Sequence, residues 1–271
     1  MSLRIQNNVE AFNAHRQLVS TGAKLSKSME RLSSGYRINR AADDAAGLAI
    51  SEKLRSQIGG LEQAQRNAQD GVSLVQTAEG ALGEVHSMLQ RLRDLAVQYN
   101  NGTLASSDQQ AITDEVAQLC NAINAIGTDT KFNGIALLTG SSSISLQVGA
   151  ADSQTLSVSA VALFGSGSGF KVDSNIFSFS GTVNLSNIDT AIQGVSSARS
   201  TFGSVQNRLE HTLNNLASYE ENLQASESRI RDVDMASEMV NFTKLQILQQ
   251  AGTSMLAQAN QGAQSVLSLL K

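Results

Sequence analysis

The sequence predicts a mainly α-helical fold, an elongated helical bundle and a terminal coiled coil, with a small β-hairpin region between its two halves. Three observations support this prediction. Apolar residues recur every seven positions through several long stretches, only 4% of residues are aromatic with no tryptophan, and there is no proline. A narrow heptad stripe is buried only against another helix. Few bulky side chains suit thin packing, and without proline nothing kinks a long helix.

The two ends of the chain carry the spacing that predicts the coiled coil. Near the N-terminus three leucines lie seven apart, and the C-terminal segment has two neighbouring rows, one beginning at Leu245 and one at Leu248. We expect these rows to be buried by pairing between helices. The predicted inner seam comprises Leu18, Leu25, Leu32, Leu248, Met255, Val266 and Leu269, beside Leu245, Gly252 and Ala259.

Three internal segments repeat the pattern. Any one alone is typical of an ordinary helical bundle core, because amphipathic helices are common, but several in one chain favour elongated bundling. The NNG run at 100–102 and the GT pair at 127–128 predict two helix ends. The stripes combine Leu74, Ala81, Met88 and Leu95 with Ala78, Val85, Leu92 and Tyr99; Ile112, Leu119 and Ile126 with Val116 and Ile123; and Leu209, Leu216, Leu223 and Ile230.

The region at about 140–185 alternates instead, which predicts a β-hairpin with one covered face. Its glycine-serine run at 165–169 is interpreted as a linker, because a phosphate-binding loop needs a following helix and a Lys-Ser/Thr pair. Helical spacing returns near Ile188. The alternating residues are Ile144, Leu146, Val148, Leu156, Val158, Ala160 and Ala162, with a further short strand expected at Phe177, Phe179 and Val183.

Composition excludes several function classes. The net charge of −4, with mixed signs throughout, offers no basic stripe for nucleic acid and no polybasic patch for a membrane. No metal, cofactor or catalytic site is predicted, since His15, His86 and His211 lie far apart without ligand-spaced partners. Cys120 is interpreted as a small, partly buried side chain, with a reactive thiol as the alternative. We expect neither a cleaved signal peptide nor a membrane span.

Motifs at both ends resemble bacterial flagellin. Residues 29–39 read MERLSSGYRIN and 43–48 read DDAAGL, and the likeness continues through RNAQDG at 66–71 and QRLRDLAVQ at 90–98. At the other end, 246–253 read QILQQAGT and 256–261 read LAQANQ. The resemblance covers roughly 1–150 and 185–271. It implies a non-enzymatic structural subunit that polymerises into the flagellar filament for motility.

The resemblance also implies a domain plan and a set of partners. An inner coiled-coil domain is expected at 1–43 and 232–271, and a helical domain with the hairpin at 44–231; large outer domains are absent. Thin, glutamine-rich ends bury too little surface to order alone, so they should fold on joining neighbours. Expected partners are other flagellin subunits, a flagellar secretion chaperone, and the filament cap and hook-filament junction proteins. Export would run unfolded through the flagellar type III apparatus to the extracellular flagellum.

Four residues match positions that, in many flagellins, contact the flagellin-sensing Toll-like receptor and lie in subunit contacts. They are Gln90, Arg91, Leu95 and Glu115. The alternative is a solvated helix face with one exposed leucine. For the whole chain, the rival interpretations are a hook-filament junction protein of the same design, a flagellin with an enzymatic insert, and a general coiled-coil adaptor.

Overall fold

The computed structural model of the protein describes residues 8–140, 143–159 and 183–269, with side chains up to 262. Within those ranges the predicted mainly α-helical fold is confirmed, with five helices and two small antiparallel hairpins. The helices are α1 Val9–Ser34, α2 Ala45–Tyr99, α3 Ser106–Asp129, α4 Leu185–Arg231 and α5 Met235–Leu269. The strands are β1 Lys131–Phe132, β2 Ile135–Ala136, β3 Ser143–Gln147 and β4 Thr155–Ser159.

The chain divides into two compact units. Unit 1 comprises Met1–Ser56 and Asn222–Lys271, and unit 2 comprises Gln57–Glu221. Helices α1 and α5 belong to unit 1, whereas α2 and α4 each contribute segments to both units. The domain bounds expected from the sequence, 1–43 with 232–271 and 44–231, stay a prediction.

Unit 2 is built on a core shared by α2, α3 and α4. Leu92 of α2, Ile123 of α3 and Leu209 of α4 are completely buried there. The predicted heptad residues of α2 and α3 all lie in this core or pack against it. Leu82 and Leu89, outside the predicted stripe, are fully buried as well. Helix α2 therefore buries a face wider than one seam, as a helix packed among several neighbours does.

The β3–β4 hairpin confirms the predicted alternation. Ile144 pairs with Val158 and Leu146 with Leu156 in antiparallel register. Leu156 and Val158 are buried while Thr155, Ser157 and Ser159, which alternate with them, are exposed, so the hairpin covers the helical core with one face. The predicted alternation at 160–162, the linker at 165–169 and the strand residues at 177 and 179 lie outside the described residues.

One local prediction needs correction, and one hairpin was missed. Val183 does not lie in a strand; it lies two residues before α4, and its backbone N–H and carbonyl are both bonded by the Asn100 side chain at 3.0 Å. The β1–β2 hairpin was not predicted. Its turn, Asn133 with φ 50° and Gly134 with φ 80°, has the two positive φ values that a type I′ turn requires, and the Asn-Gly pair was its signal.

In unit 1 the turn after α1 and the turn after α4 are bonded to each other. The backbone N–H of Val233 donates to the Gly35 carbonyl at 3.0 Å, and that of Arg37 donates to the Arg231 carbonyl at 2.6 Å. The Arg231 guanidinium lies 4.8 Å from the centroid of the Tyr36 ring and 2.8 Å from Glu52 Oε1. These contacts link the end of α1 and the start of α2 to the end of α4 and the start of α5.

Candidate functional site: the α1–α5 seam and the Arg91 surface

Helices α1 and α5 run antiparallel along a seam in unit 1. The Asn8 side chain donates to the Ala259 carbonyl at 3.0 Å, Leu18 packs beside Gly252, and Ser28 hydrogen-bonds Glu238 at 2.5 Å. Later residues of α1 thus contact earlier residues of α5, which is the pattern of an antiparallel pair. The pairing of the two chain ends that the sequence predicted is therefore present within a single chain.

Each helix presents a heptad row to this seam. The row on α1 has alternating steps of three and four residues, and so does the row on α5, as antiparallel coiled-coil packing requires. At nearly every position the side chains are only half-buried. The rows are Ala11, Ala14, Leu18, Thr21, Leu25, Ser28 and Leu32 on α1, and Glu238, Phe242, Leu245, Gln249, Gly252, Leu256 and Ala259 on α5.

A polar pair interrupts the seam. Ser28 is 2% exposed and Glu238 9%, and they are the two most buried side chains of the pairing. Arg31 lies 3.7 Å from the other carboxylate oxygen of Glu238. A buried carboxylate is tolerated only when bonded, so this pair fixes which residues of α1 face which residues of α5. The sequence did not predict this pair, because serine and glutamate are polar and apolar heptad spacing does not reveal them.

Two of the predicted seam residues do not lie in this seam. Leu248 is 47% exposed and Met255 63%, and they lie in a row of α5 that adjoins the row of Leu245 and Gly252 on the side away from α1. Leu248 and Met255 therefore do not pair with α1 in the single chain, because only one of the two adjacent heptad rows of α5 faces that helix; their burial against another helix stays a prediction. The side chains of Val266 and Leu269 lie outside the described residues.

The exposed face of α5 forms an apolar stripe, which we call the outer stripe: Val240, Ile247, Leu248 and Met255. Val240 and Ile247 are seven residues apart, as are Leu248 and Met255, so the two pairs form neighbouring rows within an arc of about 100° on the helix. All four are 47% to 69% exposed. On α1, Phe12 and Val19 are likewise seven apart and exposed.

Apolar exposure is concentrated in unit 1. Twelve of the fifteen exposed large hydrophobic residues described belong to it, whereas only one of its hydrophobic side chains, Ile38, is fully buried. Every other buried hydrophobic residue belongs to unit 2. A monomeric protein seldom exposes contiguous apolar surface of this kind unless that surface binds a partner. The described residues of unit 1 therefore have the character of an interaction surface.

The second candidate surface lies on α2 and α3 of unit 2. Arg91 Nε and Nη2 both donate to Glu115 Oε1, at 2.9 and 2.8 Å. The preceding residue, Gln90, contacts the ring of His86, one turn earlier in α2, at 3.0 Å. The sequence placed Gln90, Arg91 and Glu115 together, and the structure has all three exposed.

Leu95 differs from the other three residues. It is 2% exposed and belongs to the core of unit 2, as its place in the predicted heptad stripe of α2 implies, so the prediction that its side chain shares a surface with Arg91 is wrong. Residues four apart share a helix face, but α2 is covered by α3 along one edge of that face. Arg91 reaches solvent because its long side chain extends past the packed layer, whereas Leu95 stays beneath it.

Outside these two surfaces, Cys120 is a buried free cysteine in the core of unit 2. Burial raises the pKa of the Cys120 thiol to about 11, which leaves it almost wholly protonated, and the residue is buried as expected. Within the ranges described, no three His, Cys, Asp or Glu residues come together in a way that could hold a metal ion. None of the helices described is long and apolar enough to cross a membrane.

Comparison with known proteins gives a consistent result over nearly the whole chain. The bacterial flagellin N-terminal helical region matches residues 5–143, and the bacterial flagellin C-terminal helical region matches 185–270. A flagellin of Halalkalibacterium halodurans is 51% identical over 270 residues, covering 98% of this chain and 99% of that one. A flagellin of Bacillus subtilis is 47% identical over 304 residues, covering 99% and 100%.

Relatives named for the filament and a solved structure also match. The flagellar filament 33 kDa core protein of Treponema phagedenis is 44% identical over 289 residues, covering 98% of this chain and 99% of that one. The crystal structure of Bacillus cereus flagellin is 33% identical, with a TM-score of 0.48, over 60% of this chain and 94% of that chain.

Proposed function

Since the chain belongs to the bacterial flagellin family, and is thereby a structural subunit of the flagellar filament, we propose that the outer stripe of α5 is a contact between subunits. The observation that supports this is the distribution of apolar side chains. Unit 1 has one buried hydrophobic residue and twelve large exposed ones among its described residues, the reverse of unit 2. A second copy of the chain is the occupant that a polymerising subunit supplies.

Assembly would then complete the folding of unit 1. The half-buried α1–α5 seam stabilises the pair only weakly, because most helical stability comes from packing of an apolar face. Covering the outer stripe adds roughly 25 cal/mol for each Å² of apolar surface removed from water. Growth is thereby coupled to docking on a surface that is already ordered, which is the end of an existing filament.

The outer stripe can be tested with a charge. Leu248→Asp or Met255→Asp puts an unpaired carboxylate in the proposed contact, at a cost of several kcal/mol if burial is complete. Elongation of filament seeds by either variant, followed by electron microscopy and light scattering, should fail. Gln250→Asp is the matched control, since it adds the same charge to an exposed position of α5 outside both the outer stripe and the seam. Normal elongation by both Asp variants would refute the proposal.

We also propose that the chain is exported unfolded through the flagellar type III apparatus, with a secretion chaperone covering α5 until then. The outer stripe supports this, because an apolar helix face on a free subunit invites premature association. Cap and hook-filament junction proteins would meet the subunit at the filament end. Calorimetry with a purified flagellar secretion chaperone should give weaker binding for Leu248→Asp than for Gln250→Asp; equal affinities would contradict the chaperone contact.

The Arg91 surface is proposed as the contact for a flagellin-sensing Toll-like receptor and for a neighbouring subunit. Gln90, Arg91 and Glu115 would make the polar contacts, and an arginine can form bidentate, charge-assisted bonds typical of interface hot spots. Leu95, being buried, would act by holding the α2 segment in place. If both partners use this surface, the receptor should bind free subunits and not intact filaments.

This surface is tested by binding of the free subunit to the receptor ectodomain. Arg91→Ala should weaken binding by about 1 to 3 kcal/mol, the range for a charged hydrogen-bonding group at an interface. Arg66→Ala is the control, because Arg66 is another exposed arginine of α2, bonded only to Gln63 of its own helix among the contacts described. Unchanged affinity for Arg91→Ala would remove the receptor from the proposal and leave the filament function intact.

A further inference from the structure

The methionines of this chain are divided between the two units in a way that its filament function does not require. Four of the five described methionines, Met29, Met235, Met239 and Met255, belong to α1 or α5 and are 48% to 63% exposed. The fifth, Met88, packs against the core of unit 2. The oxidisable thioethers of the free subunit are therefore on the unit whose apolar surface is uncovered.

Two of these methionines flank the polar pair of the seam. Met29 follows Ser28 and Met239 follows Glu238 in the chain, so they occupy equivalent heptad positions beside the 2.5 Å hydrogen bond between the two helices. In an antiparallel pair, such positions lie on the same flank of the seam. Met255 lies in the outer stripe. Met29 and Met239 thus border the polar pair of the seam, Met255 lies in the proposed subunit contact, and Met235 is the first residue of α5, three residues before Glu238.

We propose that Met29, Met235, Met239 and Met255 are a site of oxidative modification that controls whether a free subunit can join the filament. Hydrogen peroxide transfers one oxygen atom to each thioether sulfur, which becomes a sulfoxide while the peroxide is reduced to water. The product is polar and chiral where an apolar, flexible side chain stood. This inference rests on the proposed subunit contact of unit 1, since only burial makes the added dipole costly.

Oxidation would affect free subunits and not subunits already in a filament. In the free subunit the four thioethers are open to peroxide, while Met88 is partly covered by the core of unit 2 and the protonated Cys120 thiol is buried. In the filament the same four side chains would be covered by neighbours. Oxidation would therefore remove unassembled subunits from growth without dismantling filaments already formed, and methionine sulfoxide reductases could reverse it.

The test uses the purified full-length chain. Free subunits are treated with hydrogen peroxide, the oxidant is removed, and mass spectrometry of peptides locates each added oxygen; elongation of untreated seeds is then timed. We expect the four exposed methionines to be oxidised before Met88 and elongation to slow by about tenfold or more, because buried polar groups without partners are costly. Methionine sulfoxide reductase should restore the untreated rate.

Two variants assign the effect. In the variant with all four exposed methionines replaced by leucine, peroxide should leave elongation at that variant's own untreated rate. Met88→Leu should lose elongation on oxidation as the natural chain does. Equal rates before and after oxidation of the natural chain, or no recovery with reductase, would overturn the inference alone. Failure of the untreated natural chain to elongate seeds would overturn the filament contact as well, so the two failures are distinguishable.

Discussion

Ser28 Oγ donates a hydrogen bond of 2.5 Å to Glu238 Oε1 across the α1–α5 seam, joining residues 210 positions apart in the chain. Removing the hydroxyl leaves that carboxylate with Arg31 at 3.7 Å. Ser28→Ala should therefore destabilise the pairing of α1 with α5 by about 1 to 3 kcal/mol, the cost of a buried acceptor without its donor. Faster amide hydrogen exchange in both helices of subunits incorporated into filaments is the expected observation.

Ser20→Ala provides the comparison for that measurement. Ser20 is exposed on the same helix, and alanine has the higher helix propensity, so exchange there should stay the same or slow slightly. If Ser28→Ala and Ser20→Ala behaved alike, the polar pair would contribute nothing to the seam.

Two glycines of α2 should respond in opposite directions to the same substitution. Gly80 is exposed with open space where a Cβ would lie, so Gly80→Ala should stabilise unit 2 by about 0.5 to 1 kcal/mol through helix propensity. At Gly71 a Cβ would overlap Leu146 Cδ1 of the docked hairpin, and Gly71→Ala should destabilise by about 1 to 3 kcal/mol through overpacking. Urea unfolding of the two variants measures both. Equal midpoints would show that the hairpin does not press on α2.

Acid should loosen the turn between α1 and α2. The Lys27 ammonium 2.6 Å from Asp43 Oδ1, with the backbone N–H groups of Arg40 and Asn39, lowers the pKa of the Asp43 carboxyl from its ordinary value of 3.8 to about 2. A carboxyl with a lowered folded pKa stabilises the protein above its unfolded pKa. That contribution is complete above about pH 4 and is lost as the pH falls toward 2.

Asp43→Asn isolates this contribution. The variant should be less stable than the natural chain at pH 7 and should lose less on going from pH 5 to pH 2, because its side chain has no proton to gain. Hydrogen exchange of residues 38–48 over that pH range is the measurement. A variant whose acid response matched the natural chain would show that the ion pair with Lys27 does not contribute.

Sequence patterns predicted the helices of this chain well because each is long and strongly periodic. Helix α2 ends at Tyr99, directly before the NNG run, and α4 begins at Leu185, close to the predicted return of helical spacing at Ile188. Heptad spacing alone could not decide which row of α5 faces α1, since Leu245 and Leu248 both begin apolar rows. The choice depends on where the partner backbone comes closest, and the glycine at 252 beside Leu18 permits that approach.

The candidate sites were predicted less completely. A motif match gave Arg91 and Glu115, and their ion pair follows from the antiparallel return of α3. Leu95 was expected on the surface because residues four apart share a helix face. How much of that face is buried, however, depends on how far the neighbouring helices cover it. Ser28 and Glu238 gave no signal in an apolar pattern, although their distant positions form the most buried contact of the seam.

Replacing Leu95 and replacing Arg91 by alanine should have different effects on the stability of unit 2. Leu95→Ala removes a fully packed side chain and should destabilise unit 2 by about 2 to 5 kcal/mol. Arg91→Ala breaks an exposed ion pair and should cost about 1 kcal/mol or less. Denaturant unfolding distinguishes them directly. Similar losses for the two variants would mean that Leu95 is not a core residue in solution.

The contrast in burial between the units predicts how a free subunit exchanges its amide hydrogens. Unit 2 has an extensive apolar core, so its α2 and α3 amides should be protected by several kcal/mol, close to the free energy of global unfolding. In unit 1 the only fully buried hydrophobic residue described is Ile38, so α1 and α5 should open with free energies near zero in the monomer. Incorporation into filaments should raise the protection of α1 and α5 most.

Limited proteolysis of the monomer should accordingly trim both ends and leave a fragment that begins between Arg37 and Leu54. Strong protection of α1 and α5 in a subunit proven monomeric by sedimentation would contradict assembly-coupled folding, because the seam would then be stable without a neighbour.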